Sequence, residues 1–405
     1  MRTRYRVALV AAVYLACSPL GLQAQGRTEQ DIVELIVRES AQAKAIRAVA
    51  ESVTAEQAAR STFPNPAVSY AHEGAGLTQF FQMEQALPAF GLRGALERAG
   101  VAARESADAE RDARLWQLRI DAHLAFARWR AADERLEGAR SVERLVEQLI
   151  GVLITREREG EGSRFDRVRS EQELVDARQT VTSAEVDRLA ARGAISAMLP
   201  PNTPLPDSIA RPSVTANLDP AEALVQKAAT SRAELRALES SARRFTLESE
   251  AAKRAVGPAA TINGGVKRAD DNNDMRTGGV VGISLTLPLF NRAARDVTRW
   301  NAERARVEFE RAVVEAAIRA EITTAAAILS LRRQVATMAR DSLSSADELV
   351  TMADVAYREG EAGILQLLDA YRTRGRAQER AAAAALELRL GEIALERAVG
   401  VTLWP

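Results

Sequence analysis

The chain has 405 residues, 55 basic and 55 acidic, so its formal charge is zero, and aromatic residues make up only 4%. The length allows two or three domains. The balanced charge speaks against a nucleic-acid partner, which needs a basic face.

Residues 1–24 read as an export signal: Arg2, Arg4 and Arg6, an apolar run over 7–16, and Ala24 as the small residue before cleavage. The run falls short of the ~18 residues that an anchor requires. The one cysteine, Cys17, lies inside this segment, where acylation is its alternative use. A mature chain starting near Gln25 would carry no thiol, hence no disulfide and no thiolate metal site.

Beyond the signal, the segments 31–61, 92–154, 165–199, 220–256, 292–356 and 364–399 are rich in Ala, Arg, Glu and Leu and are predicted as helices. The prolines punctuate them, and Pro200, Pro201, Pro204, Pro206, Pro212 and Pro220 mark a linker over 200–220. Residues 67–88 alternate apolar and polar on either side of a turn at 74–78, which predicts a hairpin. In its return strand Gln79, Gln82, Glu84 and Gln85 suit a water-facing wall. A second hairpin is predicted over 259–289, where Val281, Ile283, Leu285 and Leu287 alternate with Gly282, Ser284 and Thr286. The pairs Gly264-Gly265 and Gly278-Gly279 would thin a crowded wall.

Within the second helix a heptad seam runs through Leu115, Leu118, Ala122, Ala125, Trp129, Ala132, Leu136 and Ala139, slips, and resumes as Val142, Leu145, Leu149 and Val152. At ~1.5 Å per residue this helix is on the order of 90 Å long. The fifth helix carries two stripes, Val313, Ala317, Ala320, Ala327 and Leu331 beside Val314, Ile318, Ile322 and Leu329. Two stripes let one helix pack on both sides, as in a ring.

The halves 25–199 and 221–405 repeat one plan. Leu-Pro-x-Phe occurs at 87 and 287, and Arg-Glu-Gly-Glu at 158 and 358, both offset by 200. Gly160 and Gly360 are expected to end helices at positive φ. Four strands cannot close a membrane barrel, and lipid does not tolerate open edges. A cyclic trimer would supply twelve strands. His72 and His123 stand apart from any cluster of ligands, and neither a phosphate loop nor a nucleophile motif occurs, so no enzyme, metal site or cofactor is expected.

These residues resemble the trimeric TolC-like outer membrane factors, the outer membrane efflux protein family. The likeness rests on Asn65-Pro66 and Gln85-Ala86-Leu87-Pro88 around the first hairpin and on the segment from Ser284 to Arg292 closing the second. It rests further on Tyr357-Arg358-Glu359-Gly360 followed by Leu367-Leu368-Asp369-Ala370. The short chain, Asn65-Pro66 and Glu84-Gln85 are most similar to the heavy-metal-efflux branch. The resemblance implies a mainly α homotrimer with a 12-stranded barrel in outer-membrane lipid, continued by a helical barrel across the periplasm. It implies a passive exit duct for metal ions or small organic toxic compounds, working with a periplasmic adaptor (membrane fusion) protein and an inner-membrane RND-type transporter. By position, Arg158, Glu159, Gly160, Glu161 and Arg358, Glu359, Gly360, Glu361 correspond to adaptor-docking tips. Asp166, Tyr357, Gln366 and Asp369 correspond to the periplasmic aperture, with Gln366 where some members have an acidic residue. The alternative reading is a periplasmic coiled-coil adaptor or scaffold; an adaptor should carry long β-rich stretches, and a scaffold should lack the paired apolar hairpins.

Overall fold

The structure is a computed structural model that describes residues 28–74, 78–206, 219–271, 274–287, 290 and 293–404. The signal segment, Cys17, most of the linker and the hairpin turns expected near 74–78 and 269–274 fall wholly or partly outside the described residues.

The first half runs α1 (Glu29–Glu39), α2 (Ala41–Ser61), β1 (Ala67–Glu73), β2 (Thr78–Leu87), α3 (Leu92–Glu159) and α4 (Arg164–Ser196). The second runs α5 (Ala221–Ser231), α6 (Ala233–Ala255), β3 (Ala259–Asp271), β4 (Asp274–Thr286), α7 (Ala294–Glu359) and α8 (Ile364–Val399). The order of elements is therefore the same twice. The strands form one antiparallel sheet in the order β1-β2-β3-β4, with the hairpins joined by β2 against β3.

Helices extend from one end of this sheet as a single layer. Nearest the sheet, α2, α3, α6 and α7 lie side by side in that order; farther away the order becomes α4, α3, α8, α7. The long helices α3 and α7, of 68 and 66 residues, run through both levels. Where the levels meet, α1 docks on α3 and α5 docks on α7 and α8. Two apolar clusters build these joints: Ile32, Val33, Ile36, Leu118, Phe126 and Trp129 in the first half, and Leu224, Ala228, Ile322, Leu329, Leu395 and Trp404 in the second.

Several expectations need correction. The segments 31–61 and 220–256 are each two helices. Ser40 is extended (φ −62°, ψ 155°) and its hydroxyl accepts from the Ala43 N–H at 3.0 Å, capping α2 while α1 turns away. Arg232 makes the second break (φ −63°, ψ 114°), and its guanidinium pairs with Glu234 and Glu321. Strands β3 and β4 have 13 residues each, longer than β1 with 7 or β2 with 10. The α3 seam is buried or half-buried from Leu115 to Leu149, but Val152 is exposed and Leu153 takes its place inside.

Of the expected close glycines, only Gly265 is constrained: a Cβ there would stand 2.1 Å from the Phe81 carbonyl oxygen, whereas Gly264, Gly278 and Gly279 meet open space. Gly282 is a second tight position, against the Asn263 side chain.

Candidate functional site

The register assigns every strand residue to one of two faces. One face gathers Val68, Tyr70, Phe81, Met83, Ile262, Val266, Val281, Ile283 and Leu285, all exposed. Exposure reaches 78% at Val68 and 85% at Val281. The other face carries Ser69, Gln82, Glu84, Asn263, Lys267, Gly282 and Ser284. An apolar face of this size left open marks a membrane or protein contact. Gln79 and Gln85, expected on the water-facing wall with Gln82 and Glu84, instead share the apolar face near its two ends; the Gln85 amide donates to the Pro64 carbonyl at 2.9 Å. At the foot of each hairpin, Phe90 and Phe290 are 96% and 98% exposed. They are the phenylalanines of the repeated Leu-Pro-x-Phe.

The lateral edges are open too. Among the described residues β1 and β4 each have one strand neighbour. Along α7 the stripe Val314, Ile318, Ile322 and Leu329 is buried or half-buried within the chain, but Val313, Leu331, Val335, Met338, Leu349 and Met352 remain exposed. On α4, Phe165, Val168, Val175, Val186 and Leu189 are exposed, at spacings that fit one heptad seam. The two outermost helices thus each present an apolar seam outward.

At the far end the two helix turns meet. Gly160 and Gly360 both adopt φ 79°, and in each case the following glutamate N–H returns to a carbonyl five residues back at 2.9 Å. This is the glycine-ended cap expected from sequence. Arg156 crosses between the turns: its guanidinium donates to the Arg358 carbonyl at 3.4 Å and lies 5.4 Å from the centre of the buried Tyr357 ring. Burial, reinforced by the charge of Asp166 and opposed by Arg156, raises the Tyr357 pKa, so the phenol stays neutral.

Asp166, Tyr357 and Gln366 line one cleft of about 690 Å³ between the turns. Gln366 has a local task as well, accepting the Gly363 N–H at 2.8 Å at the start of α8. Asp369 lies apart, exposed, 3.9 Å from Arg376. In its Leu-Leu-Asp-Ala motif, Leu367 and Leu368 join Val146, Leu149, Leu153, Tyr357 and Tyr371 in the core, leaving the carboxylate as the one member turned outward. Arg156 carries no signal in the sequence, since position 356, its counterpart, is alanine.

Among the described residues no group of His, Cys, Asp and Glu could hold a metal ion, and no helix is long and apolar enough to cross a membrane.

An apolar-faced four-stranded sheet continued by a layer of rods is the fold of the outer-membrane channels. A membrane protein from Pseudomonas aeruginosa superposes with TM-score 0.74 at 17% identity, covering 92% of this chain and 93% of its own. The Neisseria gonorrhoeae MtrE outer membrane channel gives 0.72 at 17% identity, covering 93% and 89%. CusC, whose structures concern folding and transmembrane channel formation, gives 0.71 at 13% identity, covering 92% of each chain. Comparison with curated proteins gives no significant match. Residues 224–401 match the outer membrane efflux protein family. The match spans less than half of the chain, and the fold of these channels extends over 92–93% of it. The matched family is one of outer-membrane efflux proteins.

Proposed function

We propose that the chain forms one third of a passive exit duct, closed by two sister chains. The observation that carries this is the pair of open edges. At each of three levels the layer ends in an element of the first half on one side (β1, α2 or α4) and of the second half on the other (β4 or α7). Such unlike edges suit a head-to-tail contact that closes by rotation. The α4 seam of one copy would meet the α7 seam of the next, and β1 would pair with β4. Three copies give a barrel of twelve strands. The 13-residue strands exceed the ~9–11 that a tilted spanning strand needs. The apolar sheet face then meets lipid, the polar face lines the lumen, and Phe90 and Phe290 sit at the inner interface as aromatic anchors.

Twelve helices spaced at ~10 Å enclose a lumen roughly 25–30 Å across, too narrow for α1 and α5 from three chains, so those helices belong outside. At the tapered end, Arg158 to Glu161 and Arg358 to Glu361 are the docking tips for a periplasmic adaptor. That adaptor couples the duct to an RND-type transporter of the inner membrane, which selects the metal ions or small organic toxic compounds to be expelled. Asp166, Tyr357 and Gln366 border the aperture, held shut in part by Arg156. Asp369, repeated three times, adds a ring of carboxylates that favours cations.

Two measurements test the reading. Light scattering in detergent should return three copies for the native chain, and Leu331→Arg with Met338→Arg should yield monomers; a native monomer sinks the duct. In planar bilayers, Asp369→Asn and Asp166→Asn should move the reversal potential of a salt gradient toward zero, whereas unchanged selectivity in both removes the aperture assignment.

A further inference from the structure

Outside the tips and the sheet, arginine is concentrated at the joint where α5 breaks into α6 against the end of α8. Two adjoining clefts of about 270 and 240 Å³ open there, with Trp116, Ala233 and Gly400 in the walls of both. Five arginines line them: Arg114, Arg119, Arg232, Arg236 and Arg397, against the acids Asp112 and Glu234. Arg119 is engaged by Glu34, and Arg232 by Glu234 and Glu321. Asp112 is taken by Arg111. Arg114, Arg236 and Arg397 are exposed and form no ion pair among the described residues. Both acids in the walls are thus engaged, and three further guanidinium groups around the adjoining openings form a local anion site. The indole of Trp116 is half-buried in the shared wall, its N–H enclosed and without a hydrogen-bond partner among the described residues.

We infer that this cleft binds carboxylates of the cell-wall peptides, tethering the duct to the wall it passes through. The inference rests on the trans-periplasmic duct proposed above, which puts the α1 and α5 joint on the outside of the tube at mid-height. Guanidinium forks donate to carboxylates in bidentate pairs, and Trp116 adds an apolar floor. Threefold repetition points one cleft to each side, the arrangement needed to grip a surrounding mesh rather than a single partner.

The test is sedimentation of the full-length, detergent-purified protein with isolated cell-wall sacculi at about 0.1 M salt, where exposed charges still act over ~10 Å. The native chain should pellet with the sacculi. Arg114→Gln, Arg236→Gln and Arg397→Gln together should lower the bound fraction roughly tenfold, in keeping with three charge-assisted contacts. A control with the same charge change at exposed positions elsewhere, Arg128→Gln, Arg144→Gln and Arg295→Gln, should bind as the native chain does. Native protein left in the supernatant, or equal losses in the cleft and control variants, overturns the inference. Capture by immobilised poly-glutamate but not by sacculi also overturns it, and points to an acidic protein segment. Light scattering on the same samples separates the two readings: a trimer that fails to pellet counts against the tether alone, a monomer against the duct.

Discussion

The two halves share a backbone and differ in what they place on it. At the tips the caps are the same, with Gly160 and Gly360 at φ 79° and ψ within a degree of each other. Yet position 157 is a glutamate holding Arg167 at 2.6 Å on its own hairpin of helices, and position 357 is the buried tyrosine that receives Arg156 from the other half. At the joints, Arg119 and Arg319 stand 200 apart and each reaches a glutamate of the docked helix, Glu34 or Glu222. The first joint adds a buried set, Glu29 with His123 Nδ1 at 2.7 Å and Arg389 at 3.4 Å, whereas in the second the buried Glu396 accepts the backbone N–H groups of Leu403 and Trp404. Where each half meets solvent the duplication is kept, and where the halves meet each other it has diverged into unlike partners. Contacts between the halves are thereby specified, which a strictly repeated chain could not do.

The sheet offers the largest effect by which to sharpen this comparison. Gly265→Val drives a side chain into the β2 backbone and should cost ~3 kcal/mol, enough to prevent assembly of the proposed barrel, while Gly264→Val one residue away should be tolerated. The heat-sensitive trimer band expected of the proposed duct, followed on a gel, reads both. At the tips, Gly160→Val and Gly360→Val should each cost about 1–2 kcal/mol, the penalty of a left-handed non-glycine residue. Equal losses in thermal midpoint would show that the caps remain equivalent, and unequal losses that the Arg156 bridge supports one of them.

The starts of the long helices differ as well: α3 follows Gly91 at φ 74°, but α7 follows Ala293 at φ 49°. Ala293→Gly should therefore raise stability by ~1 kcal/mol, with no such gain available in the first half.

The smallest effect distinguishes the joints by pH and salt. Burial raises the Glu29 pKa, but the His123 and Arg389 contacts outweigh it, and the net shift is downward. A carboxylate with a lowered folded pKa stabilises above its unfolded value of ~4.3 and loses that contribution as pH falls through the folded pKa. Unfolding midpoints should thus drop on acidification below about pH 4, and Glu29→Gln should flatten that part of the profile. Glu222, also lowered by its Arg319 partner, is fully exposed; Glu222→Gln should leave the midpoint unchanged at high salt.

Much of the fold was legible in the sequence because helix propensity, proline position and alternation are local signals. The second hairpin, the limits of α8 at Ile364 and Val399, and both glycine caps follow from residues close together in the chain. The break at Ser40 has a local cause, a capping hydroxyl, that propensity averaged over 31–61 conceals. The break at Arg232 has no side-chain cap of its own, and Ser231 beside it is fixed by donating to the Val399 carbonyl at 2.7 Å, a partner far along the chain.

Of the candidate site, the sequence indicated Tyr357, Asp369 and the tip glycines by motif and position. Arg156 became visible only once α3 and α7 were brought side by side. The same holds for which of the two α7 stripes is buried. Either stripe could serve by composition, and the choice depends on where α5, α6 and α8 lie, so burial of Ile318, Ile322 and Leu329 was decided by the tertiary structure. Periodicity determined that each long helix has more than one face to cover. Only packing determined which face the chain covers for itself and which it leaves apolar and open, because burial depends on neighbours that the local sequence does not specify.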